Sequence, residues 1–117
     1  MDDASNERFF VDPTGDLARA VVPARGSPYE HRCPYDALKT VAYEVDAAKG
    51  PFTLKTLQAA TGLPFTQVAV ALAFFKERGI AVPAGRRTHV GHAGAFEDAM
   101  VEYHALREVG GGEDQHA

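Results

Sequence analysis

The stretch that decides the fold is residues 51–91, which read PFTLKTLQAATGLPFTQVAVALAFFKERGIAVPAGRRTHVG. Thr53 is predicted to cap a short helix, because its hydroxyl can accept a hydrogen bond from an early helical N–H. Gly62 is predicted to end that helix, since the residue just past a helix end often needs positive φ. A second helix is predicted at residues 65–78. Residues spaced four and three apart form its predicted buried stripe: Val68, Leu72 and Phe75.

Two short strands are predicted after the second helix, at residues 80–82 and 88–90, and the turn between them carries Arg86 and Arg87. The predicted order is helix, tight turn, helix and β-hairpin. This order, with the segments ATGLPFTQV, FFKERGIAV and AGRRTHV, resembles the winged helix-turn-helix family. The resemblance implies that residues 65–78 form a DNA recognition helix and that the hairpin is a wing with a basic tip.

The rest of the chain is divided around this motif. A first helix is predicted to start near Pro34, which suits a first helical position, and to stop at Gly50-Pro51. It extends the winged helix-turn-helix domain to residues 34–92. Residues 93–117 are predicted to hold an added C-terminal helix, at about 96–109, and a flexible tail. The expected fold class is mainly α with a small β wing.

Residues 1–33 are predicted to form an N-terminal arm and connector that is partly disordered. Residues 1–7 are polar and are expected to be disordered. A small β-hairpin is predicted at residues 8–22, around the turn-rich cluster Asp12–Asp16. Within the connector, residues 27–30 match a capping-box pattern and are interpreted as one helical turn.

Composition limits the classes of protein that this chain can belong to. Its 117 residues are 45% hydrophobic, which suits one modest core, and no run approaches the ~18 apolar residues of a membrane span. Cys33 is the only cysteine, so an internal disulfide framework is excluded and a reducing cytoplasm is the expected location. Residues 1–7 are acidic and polar, which is not typical of a signal peptide.

The formal charge of the chain is −4, but it is unevenly distributed. Residues 76–92 carry four cations and one anion, whereas residues 93–117 carry one cation and six anions. The wing region is therefore predicted to be the basic pole of an acidic protein.

Contact with DNA is expected through the start of the recognition helix, a lysine near its end, and the wing. The expected contact residues are Thr66, Gln67, Val70, Lys76, Arg86, Arg87 and His89. Polar and charged side chains in this set suit base edges and phosphates, and Val70 suits a thymine methyl.

The recognition helix also has an apolar outer face, formed by Val70, Ala73 and Phe74. Such a surface more often meets protein than phosphate. Two functions therefore remain open: a homodimeric transcriptional regulator that binds DNA, or a winged-helix module for protein–protein contact. Leaving Val70 and Phe74 in water would forgo roughly 1.5–3 kcal/mol each, so they are predicted to be covered by the N-terminal arm or by another subunit.

A homodimer is also expected because the last helix has an apolar stripe that lies beyond the minimal fold. The stripe consists of Phe96, Met100, Tyr103 and Leu106. A dimer mate and the helix's own domain are equal alternatives for covering it, since one amphipathic stripe does not reveal its partner.

Neither a catalytic nor a metal site is predicted. His89-x-x-His92 and His31-x-Cys33 contain ligand types, but neither makes a four-ligand set. No glycine-rich phosphate loop or nucleophile signature occurs in the sequence. The chain is therefore expected to use no cofactor and not to be an enzyme.

Overall fold

The computed structural model describes residues 6–85, 87–91 and 93–116, and for His89 and residues 110–116 it describes the backbone alone. In these residues the chain is a mixed α and β structure with four helices and two small antiparallel sheets. The elements are β1 (Asn6–Val11), β2 (Leu17–Val22), β3 (Tyr29–Cys33), α1 (Tyr35–Ala47), α2 (Leu54–Thr61), α3 (Phe65–Glu77), β4 (Ala81–Ala84), β5 (Arg87–Val90) and α4 (Ala95–His116). No helix among them is both long enough and apolar enough to cross a membrane.

The N-terminal sheet has the order β1-β2-β3, and its buried side chains are apolar. Leu17 stands opposite Val11 on one neighbour and Cys33 on the other, so three buried residues form one row. Asp12 shapes the turn between β1 and β2, because its Oδ1 accepts a hydrogen bond from the Thr14 N–H at 3.0 Å. The predicted N-terminal hairpin is thus confirmed.

A third strand extends this hairpin, and here the sequence prediction is wrong. Tyr29–Cys33 forms β3, although residues 27–30 are predicted to form a helical turn in a connector. The capping-box pattern is a local signal. A single helical turn fixes several residues for few hydrogen bonds, whereas the free edge of β2 offers a full row of partners. Pairing with β2 therefore overrides the local preference.

The start of β1 also differs from the prediction. Asn6 and Glu7 belong to β1, although they fall within the segment expected to be disordered. Glu7 forms a salt bridge with Arg19 across β1 and β2, which ties this end of the strand to its neighbour. The remainder of that expectation, for residues 1–5, lies outside the described residues.

The local signals for α1, α2 and α3 are confirmed. Pro34 directly precedes α1. Thr53 and Thr56 form a capping box at the start of α2: the Thr53 hydroxyl accepts from the Thr56 N–H at 3.1 Å, and the Thr56 hydroxyl accepts from the Thr53 N–H at 2.9 Å. Gly62 ends α2 in the left-handed region, with φ of 72°. α3 begins at Phe65, the predicted residue.

The β4–β5 hairpin is tied to the entrance of α2. Phe52 donates its N–H to the Thr88 carbonyl at 2.6 Å and accepts from the Thr88 N–H at 2.8 Å. The two strands are a residue or two longer at the turn than predicted, with Ala84 opposite Arg87. Gly85 in the turn has φ of 63°, which favours glycine.

The last helix, α4, packs on α1 and β1 of its own chain. It begins at Ala95, whose N–H donates to the Asp46 carboxylate in α1 at 3.0 Å. It continues to His116, beyond the predicted end at 109, so the segment predicted as a flexible tail is helical through residue 116. Nothing in the described contacts explains why the helix continues through the glycines at 110–112, which are poor helix formers.

Candidate interaction surface around α3

α3 is covered by protein on two opposite sides. On the first side Val68 is fully buried against the other helices, as predicted. Val70 lies about 200° around the helix from Val68, and it is fully buried as well. Phe74 is on the same side as Val70 and is also fully buried, with its ring 5.4 Å from that of Phe9 in β1. The prediction that protein covers Val70 and Phe74 is confirmed, and on this side α3 packs against the N-terminal sheet.

Two residues proposed from the sequence as contact sites are therefore not on the surface. Val70 is expected from the sequence to touch DNA, but its side chain has no exposure in this structure. Phe74 is expected to lie in a dimer or partner interface, but its contacts are Phe9, Phe75 and the Arg78 guanidinium, which lies 5.3 Å from the ring centroid. Both corrections have one cause, because the N-terminal sheet of the same chain packs on the apolar outer face of α3.

A narrow strip of α3 remains accessible between these two covered sides. Thr66 and Lys76 are exposed at its two ends, and Gln67 is half-buried. Ala69 and Ala73 lie between the ends and are half-buried. Three of the expected DNA-contact residues thus remain reachable, but the middle of the strip offers only methyl groups.

This strip forms the floor of a groove of about 480 Å³, which we call the α3 groove. One wall comes from the N-terminal sheet and another from the start of α2. The residues that line it are Glu7, Arg19, Leu54, Ala69, Leu72, Ala73, Lys76 and Glu77. The side chains of its floor are mostly small and all apolar, and its rim carries both acidic and basic side chains.

The charges on the rim are only partly paired. Arg19 is bound to Glu7 within the sheet. Glu77 pairs with Arg78, which also reaches Glu102 in α4 at 2.9 Å. Lys76 forms no salt bridge to any described residue. The groove therefore presents one cation that a ligand can use beside an apolar floor.

The predicted basic wing is described only in part. Arg87 is exposed at the start of β5, while Thr88 beside it is buried. Arg86 and the side chain of His89, both expected to contact DNA, lie outside the described part of the structure. The same is true of His92. The hairpin thus shows one outward-facing cation of the expected set.

The apolar stripe of α4 is used within its own chain. Tyr103 is fully buried, and its hydroxyl donates a hydrogen bond to the Gly15 carbonyl at 2.5 Å. Burial raises the pKa of Tyr103. Phe96, Met100 and Leu106 are partly buried and pack against the same core. Of the two alternatives for this stripe, the structure has the helix folded back on its own domain.

Cys33 is buried at the end of β3 and is no candidate nucleophile. Its thiol is fully buried, and burial raises its pKa to about 12 from the usual 9.0, with Asp16 adding to the shift. The thiol is therefore protonated at neutral pH. Among the described residues, no group of three or more histidine, cysteine, aspartate or glutamate side chains is placed to hold a metal ion.

The buried thiol makes alkaline stability depend on Cys33. The folded state keeps this proton up to about pH 12, whereas the unfolded chain releases it near 9.0. The stabilisation that the protonated thiol gives the folded state is thus complete below pH 9 and is lost as pH rises towards 12. At pH 10 we expect the free energy of unfolding to have fallen by about 1.4 kcal/mol more in wild type than in Cys33→Ala. Urea titrations of both proteins at pH 7 and pH 10 measure this difference, and parallel pH profiles would contradict it.

The chain was compared with protein-family models, with curated proteins and with solved structures. None of the three comparisons found a match.

The groove itself is not foreseen by the sequence analysis. Arg19 and Glu7 meet across β1 and β2, and neither is singled out in the sequence because their strand register is needed to bring them beside α3. The useful signal is indirect: Ala69 and Ala73 are small residues four positions apart on one side of α3. Small residues four positions apart allow another segment to approach the helix closely, but they do not identify that segment.

Proposed function

We propose that this chain is a winged-helix-type domain that acts as a protein–protein interaction module, with the α3 groove as its partner site. The observation that carries the proposal is the complete burial of Val70 and Phe74 under the N-terminal sheet. That sheet occupies the side of α3 that a DNA-reading helix of this family would turn outward.

The size of the major groove supports this reasoning. The major groove of DNA is about 12 Å wide, and a helix with its side chains is itself about 10–12 Å across. A recognition helix must therefore protrude from its domain to reach base edges. α3 has the sheet on one side and α1 and α2 on the other, so entry would require removal of a packed layer.

The α3 groove favours a partner that is apolar on one face and carries an anionic group. Ala69 and Ala73 leave room for side chains of a docked segment, and Leu54 adds apolar surface at one end. Lys76 can pair with a carboxylate of the segment. The net acidity of the chain also favours a protein over DNA, since nucleic acid repels the surplus negative charge.

Filling the groove tests this proposal. Ala73→Met keeps a good helix former and leaves the charge unchanged while its longer side chain occupies the floor. Thr40→Met, on the exposed part of α1, is the matched control. We expect quantitative mass spectrometry of co-purifying proteins to show a partner that wild type and Thr40→Met retain and that Ala73→Met loses by about tenfold or more, a loss of at least about 1.4 kcal/mol of binding. Calorimetry with the purified partner checks that the loss is direct, and a folded Ala73→Met that retains every partner would remove the groove from the function.

A second candidate function is DNA binding through the β4–β5 hairpin, as in a transcriptional regulator, and the exposure of Arg87 favours it. Cations at a hairpin tip can contact phosphates without help from α3. If Arg86 and Arg87 do so, changing both to alanine is expected to weaken binding to all DNA sequences alike. The slope of log affinity against log salt concentration should fall by about two units.

Fluorescence anisotropy with random-sequence duplex DNA at several salt concentrations measures both quantities. Arg25→Ala with Lys49→Ala removes the same charge at two exposed positions outside the hairpin and is the control. If the wing variant and this control behave alike, or if wild type shows no salt-dependent binding, the hairpin is not a DNA site. The buried, unpaired cysteine is compatible with a reducing compartment for either candidate.

A further inference from the structure

The outer edge of β3 is an open strand edge. Tyr29, Glu30, His31 and Arg32 are all exposed along this strand, although its backbone also lies close to α3. β3 pairs with β2 on one side, and no described strand pairs with its other side. Among the backbone hydrogen bonds of the described residues outside strand ladders, none involves residues 29–33. Such an edge presents unpaired N–H and C=O groups that can template another strand.

The charges along β3 are complementary to those of a second copy. Glu30 and Arg32 flank His31 and lie on the same face of the sheet, since they are two residues apart. When two copies of β3 pair antiparallel about a two-fold axis at His31, Glu30 of each copy stands directly opposite Arg32 of the other. Directly opposite side chains have Cβ atoms about 4.5–5.5 Å apart, which is within reach of a salt bridge.

Other registers lack this complementarity. A shift that keeps the faces matched moves the axis by one residue, to Glu30 or to Arg32. The first places two Glu30 side chains opposite each other, and the second places two Arg32 side chains opposite each other. A register with its axis between residues would instead mismatch the two faces of the joined sheets. Only the register centred on His31 therefore combines matched faces with attraction.

We propose that this chain forms a homodimer through β3, in which two three-stranded sheets join into one six-stranded antiparallel sheet. The interface is isologous, as a two-fold dimer requires. Arg32 holds Asp12 at 3.1 Å and Glu30 of its own chain at 3.2 Å, and both acids are on the same face. In the dimer Arg32 keeps Asp12 and exchanges its own Glu30 for that of the other copy. This dimer is independent of the α3 groove and goes beyond the proposed partner site.

The affinity is expected to be modest. Five-residue edges bury less than the ~1,600 Å² of a standard interface, so the association should be reversible and dependent on concentration. Sedimentation velocity at rising concentration should show wild type moving from 12.6 kDa towards twice that mass. A monomer at every concentration up to the millimolar range would overturn the proposal.

Charge reversal identifies the interface. Glu30→Arg and Arg32→Glu each place like charges opposite one another twice, and each is expected to raise the dimer dissociation constant by about tenfold or more. An equimolar mixture of the two variants restores both attractive pairs and should form a heterodimer. Lys55→Glu, an exposed charge reversal in α2, is the control and should dimerise like wild type. A dimer dissociation constant unchanged by both charge reversals, or two variants that fail to associate on mixing, would refute this register.

A cross-link provides a test that leaves Arg32 and its contact with Asp12 unchanged. In the proposed register the two copies of residue 31 face each other across the axis, within the Cα separation that a disulfide allows. Oxidised His31→Cys is therefore expected to form a covalent dimer, and Glu30→Arg in the same chain should suppress it. Lys49→Cys, exposed at a separate site, controls for random collision. Equal cross-linking of both cysteine variants would overturn the proposal.

Discussion

Replacing Phe74 with alanine is expected to lower the free energy of unfolding by about 3–5 kcal/mol, the usual range for a fully buried phenylalanine. Phe74 has no exposed surface, and its ring joins α3 to Phe9 of the N-terminal sheet at a centroid distance of 5.4 Å. Truncation removes this contact and leaves a cavity between the two layers. For a protein whose total stability is roughly 5–15 kcal/mol, the loss is a large fraction. Urea denaturation measures it.

Phe65→Ala is the matched control for this substitution. Phe65 is also on α3 but is 58% exposed, so its loss should change the free energy of unfolding by less than about 0.5 kcal/mol. The effect of Phe74→Ala should not depend on protein concentration, because the cover belongs to the same chain. A double-mutant cycle with Phe9→Ala should show coupling of about 0.5–1.5 kcal/mol. Absence of coupling, or a loss that appears only at dimer-forming concentrations, would mean that another surface covers Phe74.

The central motif of the fold could be predicted because its signals are local. Thr53 is a cap, Gly62 is a left-handed terminator, and the helix stripe follows from spacing, so each depends on residues that are neighbours in sequence. β3 could not be predicted in the same way. Its residues form their hydrogen bonds with β2, and no local pattern in Tyr29–Cys33 predicts pairing with that strand.

The candidate site was only partly predictable for a related reason. The apolar outer face of α3 can be recognised in the sequence. Burial of Val70 and Phe74 could be predicted because leaving these side chains in water is unfavourable. Which surface covers them is a question of tertiary pairing, and a sheet of the same chain and a second subunit satisfy the same pattern. The α3 groove depends on that answer, because one of its walls is the covering sheet.

Tyr103→Ala is expected to cost about 3–5 kcal/mol of unfolding free energy, since Tyr103 is the largest fully buried side chain among the described residues. It joins three parts of the chain. Its ring lies 4.7 Å from that of Tyr35 in α1, and its hydroxyl holds the Gly15 carbonyl in the turn between β1 and β2. Removing it takes away one contact of α4 with each of these parts. Thermal or urea unfolding gives the magnitude.

Tyr103→Phe separates the hydrogen bond from the packing. It keeps the ring and removes only the donor, so the buried Gly15 carbonyl loses its partner at a cost of about 1–3 kcal/mol. Val101→Ala, two residues away on the exposed side of α4, should change stability by less than about 0.5 kcal/mol. Because burial raises the pKa of Tyr103, wild type should also lose stability above pH 10, where the unfolded phenol ionises and the folded one does not, and Tyr103→Phe should lose less. If the alanine variant proves as stable as the Val101 control, α4 is not anchored on the first turn of the sheet, and its apolar stripe would again be available to a second subunit.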